Sequence, residues 1–162
     1  MPRQVTYIEL RIDSVEGYWR ELIVPNVEEC VRGQTPRTVF NAAVALWHLI
    51  DWVWHEEHPD EDTRNNPIYD TYRKQLLSKC LELAWLGDIA DAGKHRGLGR
   101  KTVSTGLLPL PDAEGGMAIF VMEHYNPMER DFGTAVNIRE VLDTVIQFWR
   151  AKLVDKDLPS PF

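Results

Sequence analysis

The chain has 162 residues, 44% of them hydrophobic and 27% charged, with 25 acidic against 18 basic side chains for a formal net charge of -7. A chain of this length buries roughly 70% of its unfolded surface in one core, and its ordinary composition excludes a fibrous repeat or a disordered polymer. The acidic balance excludes a broad electrostatic grip on duplex DNA, which depends on neutralising phosphates, and no apolar run approaches the ~18 residues of a membrane span.

The N-terminal MPRQVTYIELRID lacks the basic and apolar blocks of a secretory leader. Two cysteines, Cys30 and Cys80, with no CxxC spacing, fit free thiols in a reducing cytoplasmic compartment. VTYIELRI alternates like a strand, and EGYWRELIV reads as a short helix. NVEECVR, between Pro25 and Gly33, fits two helical turns.

From Thr35 the pattern sharpens. Thr35 is a good N-cap, Pro36 suits the first helical position, and Val39, Ala43, Leu46, Ile50 and Val53 recur at helical spacing up to about Glu57. Pro59 and DEDTRNN then form an exposed loop. A second helical region spans about Pro67 to His95, as one kinked helix or two consecutive ones, with Gly87 and Gly93 as candidate bend points. Beyond Arg100 the period changes to two. KTVSTGLL and MAIFVMEH, separated by PLPDAEGG, predict a β-hairpin, with a third short strand near Phe132 to Val136. Asn137 caps an amphipathic helix carrying Ile138, Val141, Leu142, Val145, Ile146 and Trp149. DKDLPSPF reads as a loose tail. The expected fold is therefore α+β and mainly α: one domain over residues 1–154, a helical bundle with a small antiparallel hairpin or meander before the C-terminal helix, followed by a flexible tail at 155–162.

At about 100° per residue, Arg37, Asn41, His48, Asp51 and His55 share one stripe of the first long helix, and Asp88, Asp91 and His95 share one on the second. Antiparallel packing of the two helices would bring these stripes face to face. Three readings of the convergence stay open. In the first, the carboxylates accept hydrogen bonds from His and Trp ring N–H groups and tie the helices together. In the second, His48, Asp51, His55 and Asp88 hold a divalent metal such as zinc, manganese or iron, although neither HExxH nor paired ExxH spacing is present. In the third, Asp91 and His95 act as an acid/base pair beside an anion or RNA phosphate site made by Lys94, Arg96, Arg100 and Lys101. KHRGLGRK, the segment carrying that basic patch, is also the composition of an ordinary solvated loop. HEEHPDED, at residues 55–62, has metal-ligating residue types but the setting of a solvated helix end. GLLPLPDAEGG lacks the lysine and Ser/Thr of a phosphate loop, and Asp131-Phe132-Gly133 stands without any other kinase signature.

ALWHLIDWVW, DIADAGKHRGL, a hairpin and a final helix ending in QFW together resemble a family of small bacterial and prophage-encoded proteins. The likeness covers about residues 35–152 and rests on Trp47, His48, Asp51 and Trp52 in one motif and Asp88, Asp91, Lys94 and His95 in the other. The helical outline also resembles HEPN domains, many of them RNases that use an Arg followed four to six residues later by a His. None of the twelve arginines here stands at that distance before any of the five histidines. What the resemblance implies is a HEPN-like module working through protein or RNA contacts in a mobile-element or phage-defence setting. The alternative is a metal-dependent hydrolase or nuclease using the His/Asp cluster. The tryptophan count is compatible with a homo-oligomer.

Overall fold

The computed structural model describes residues 12–94, 105–109, 117–121 and 134–162. Helix α1 (Val15–Tyr18) starts at Ser14, whose hydroxyl accepts from the Gly17 amide at 3.1 Å. It continues through a π-helical turn, Trp19–Ile23, into α2 (Val24–Arg32). Pro25 therefore does not break the segment. In a regular α-helix its ring would press on the carbonyl four residues back, and the wider π turn just before it takes up the mismatch.

Helix α3 (Pro36–Glu57) begins at the expected cap. The Thr35 hydroxyl accepts from the Thr38 amide, and the Thr38 hydroxyl accepts from the Thr35 amide at 2.9 Å, closing a reciprocal box in which threonine replaces the usual Glu or Gln. Thr38 also donates to the Gly33 carbonyl at 2.8 Å, so its buried hydroxyl is satisfied. The predicted stripe of Val39, Ala43, Leu46, Ile50 and Val53 is buried throughout. It is the spine of the core, packed against α2 on one side and α5 on the other.

Of the two forms expected for this region, the structure has two consecutive helices, α4 (Pro67–Lys79) and α5 (Leu81–Lys94). The interruption falls at Cys80, whose backbone is extended at φ -144° and ψ 96°, and not at either candidate glycine. Gly87 has a different task inside α5. A Cβ there would lie 2.6 Å from the Trp47 ring, so the missing side chain is what lets α5 approach α3 so closely.

Strands β1 (Thr105–Pro109), β2 (Met117–Val121) and β3 (Thr134–Asn137) form an antiparallel meander in the order β1-β2-β3. Leu107 pairs with Ile119, which in turn pairs with Val136. Asn137 ends β3 and caps α6 (Ile138–Lys152) by accepting from the Arg139 amide at 2.8 Å. All six predicted apolar positions of α6 are buried. The fold is thus α+β and mainly α, with the meander ahead of the last helix. Among the described residues no helix is long and apolar enough to cross a membrane.

The C-terminal segment departs from the expectation of a loose tail. Leu158 and Pro161 are buried, the Trp19 indole donates to the Pro159 carbonyl at 2.9 Å, and Arg150 donates to the Leu158 carbonyl at 3.1 Å. Lys156 pairs with Glu56 and Arg20 with Asp157. Two apolar anchors among polar neighbours dock a segment whose overall polarity suggested none. The strand expected at VTYIELRI lies almost wholly outside the described residues.

Candidate functional site: a His–Asp–Tyr network on the third and fourth helices

The polar stripe of α3 does bring His48 and Asp51 together. His48 Nδ1 lies 3.3 Å from Asp51 Oδ2, a spacing of three residues on one helical face. The second oxygen of the carboxylate is taken by α4, where the Tyr69 hydroxyl donates to Asp51 Oδ1.

Local sequence places that phenol. The Asn66 side chain accepts from the amides of Ile68 and Tyr69 at 2.9 and 3.2 Å, fixing the first turn of α4 immediately after Asn65 has reversed the chain at φ 56°. The Tyr69 ring stands edge-on to Trp54 with centroids 5.4 Å apart, and the Arg73 guanidinium lies 6.0 Å from its centre. Tyr18, from α1, also packs on α3, stacking on Trp52 at 4.9 Å and donating to the Ala45 carbonyl at 3.0 Å.

The electrostatics follow from this arrangement. Burial alone would raise the Asp51 pKa, but the hydrogen bonds from His48 and Tyr69, with the His48 and His55 charges, outweigh it and hold the carboxyl below its ordinary value. Burial, then the bond to Asp51 and its charge, pushes the Tyr69 phenol far up, so it remains a donor. Tyr18 is pushed up to about 12 by burial and by the Asp51 charge. An ionised carboxylate only accepts, so His48 Nδ1 carries the proton in this bond and Nε2 is the nitrogen left to meet a ligand. The side chains of His48 and Asp51 are 36% and 40% exposed, which sets the pair at the edge of the core with one side toward solvent.

His55 is exposed, one turn beyond Asp51. Asp88 and Asp91 are half-buried on α5, flanking the buried face formed by Leu83, Leu86 and Ala90. Lys94 is the last residue of α5, and His95, Arg96, Arg100 and Lys101 lie outside the described residues. Among the described residues no three His, Cys, Asp or Glu side chains gather as a metal site would require. Where α3 meets α5, the contact at Gly87 is made by Trp47, one residue and about 100° around the helix from His48.

HEEHPDED proves to be a structural junction rather than a merely solvated run. Glu56 accepts from the Val15 amide at 2.8 Å and from Lys156, tying the start of α1 and the C-terminal segment to the end of α3. His58 stacks on Trp54 at 3.8 Å, with Nδ1 3.2 Å from the Trp54 carbonyl. Both cysteines are buried and free. Burial pushes the Cys30 thiol up to about 11 and also raises Cys80, opposite to what a nucleophile needs.

Comparison of the chain with protein-family models, with curated proteins and with solved structures gives no match.

Proposed function

We propose that the chain is a helical binding module, HEPN-like in outline, acting through RNA or protein contacts in a mobile-element or defence setting. The observation that carries this reading is the engagement of both Asp51 oxygens, one by Tyr69 and the other by His48. A cation at this place competes with two protein donors for the carboxylate, whereas a macromolecular ligand meets an imidazole already held in orientation. Lys94, Arg96, Arg100 and Lys101 supply the cationic side chains for phosphate contact in the RNA form of the reading.

Two assays on untagged protein test it. Metal analysis of the purified chain should find less than one equivalent. Single-stranded RNA of mixed sequence should bind in a salt-sensitive manner, weakened about tenfold or more in Lys94→Ala/Arg96→Ala and in His48→Ala, unless a co-purifying protein takes the place of RNA. Stoichiometric metal that disappears in Asp51→Ala and Asp88→Ala would overturn the reading in favour of a metal-dependent hydrolase.

One feature of the same pair favours a second reading. A carboxylate on Nδ1 is the arrangement that orients an imidazole for general-base work at Nε2. In that case RNA cleavage would fall alike in His48→Ala and Asp51→Asn without any metal requirement, and identical cleavage by wild type and both variants would exclude it.

A further inference from the structure

The segment Lys156–Phe162 is bound as a peptide ligand is bound. It runs back from the end of α6 without helix or strand, between the α1 region and α6 itself. Leu158 and Pro161 are its buried anchors, while Pro159, Ser160 and Phe162 face outward. Two side chains read its backbone: the Trp19 indole holds the Pro159 carbonyl and Arg150 the Leu158 carbonyl. Two charge pairs precede the anchors, Lys156 with Glu56 and Asp157 with Arg20.

An indole N–H donated to a carbonyl in a Pro-containing segment, beside an apolar anchor, is the chemistry by which aromatic grooves take proline-rich peptides. The prolines restrict the free peptide and lower the ordering cost of binding. Two further observations locate the groove. The π turn Trp19–Ile23, which accommodates Pro25, also begins at the tryptophan that reads the carbonyl, and π turns are frequent at functional sites. At Phe162 the surface opens into a hollow of about 310 Å³ lined by Arg139, Glu140, Asp143 and Phe162, so the groove extends beyond the seated residues.

We propose that the surface between the α1 region and α6 is a peptide-binding groove for Leu-Pro-x-Pro segments of partner proteins, and that residues 156–162 occupy it in cis as an autoinhibitory strap. Tethering gives the strap an effective concentration on the order of millimolar, so weak ligands are excluded and only a partner that binds more tightly displaces it. The groove uses none of the residues of the His48 network and stands independently of the function proposed for them.

The test uses a fluorescein-labelled peptide of the strap's own sequence, KDLPSPF, followed by anisotropy on the full chain. Leu158→Asp removes the main anchor and opens the strap. The opened chain should bind the peptide at least tenfold more tightly than wild type, and the same peptide with its leucine replaced by aspartate should not bind. Circular dichroism checks that the variant is folded. If it is not, Leu158→Ala/Pro161→Ala opens the groove without burying a charge, and the same tenfold gain is expected. Peptide binding by a folded, opened chain that is no tighter than by wild type, or equal binding of the leucine and aspartate peptides, overturns the proposal.

Discussion

Two of the seams made by helix α3, those toward α5 and toward α4, differ in character. Toward α5 the helix is close-packed: Gly87 admits the Trp47 ring, and Leu86 beside it is fully buried. Toward α4 it also has a polar edge, where the Asp51 carboxylate joins His48 to Tyr69 beside solvent. The first seam resists change through volume and the second through hydrogen bonding. The α5 seam therefore contributes to stability through packing, and the α4 edge is the one the proposed function would use.

Substitutions at the two seams should separate them by size of effect. Leu86→Ala removes a fully buried side chain of α5 next to Gly87 and should cost about 2 to 5 kcal/mol in denaturant unfolding. Gly87→Ala should cost roughly 1 to 3 kcal/mol despite its better helix propensity, because the Trp47 ring has to move. A Gly87→Ala protein as stable as wild type would mean that the seam is looser than described. Tyr69→Phe at the polar edge should cost about 1 kcal/mol, since water can reach the half-exposed carboxylate and replace part of the lost bond.

The smallest effect is one of pH. Asp51 has a lowered pKa in the folded chain, so its contribution to stability is complete above the ordinary carboxylate value of 3.8 and is lost as pH falls through the lower folded value. Asp51→Asn should therefore flatten the acid limb of the stability curve below that value and leave the pH dependence near neutrality as in wild type. An acid limb unchanged in the variant would remove Asp51 from the list of perturbed carboxylates.

The contrast between the seams also explains what could be read from the sequence. Apolar residues repeat, so the buried stripes of α3 and α6 follow from periodicity, and the caps at Thr35 and Asn137 follow from side-chain chemistry. The polar edge has no repeat. His48 and Asp51 share a face by spacing alone, but the third member, Tyr69, comes from another helix and reads in sequence as one more core aromatic. Helical spacing of Asp88 and Asp91 marks a polar face of α5, but spacing carries no signal for the ring volume of Trp47 that Gly87 admits at the contact with α3. In the tail, composition averaged away the two anchors, Leu158 and Pro161, while Trp19, 140 residues from its acceptor at Pro159, gives no local signal.

The most direct test of the account is a double-mutant cycle between Asp51→Ala and Tyr69→Phe, measured by urea unfolding at neutral pH. If the carboxylate is held by the phenol, the two losses should not add, and a coupling of about 0.5 to 1 kcal/mol should remain. Strict additivity would show that Tyr69 and Asp51 do not share a bond, and the oriented imidazole on which the proposed binding edge depends would lose its support.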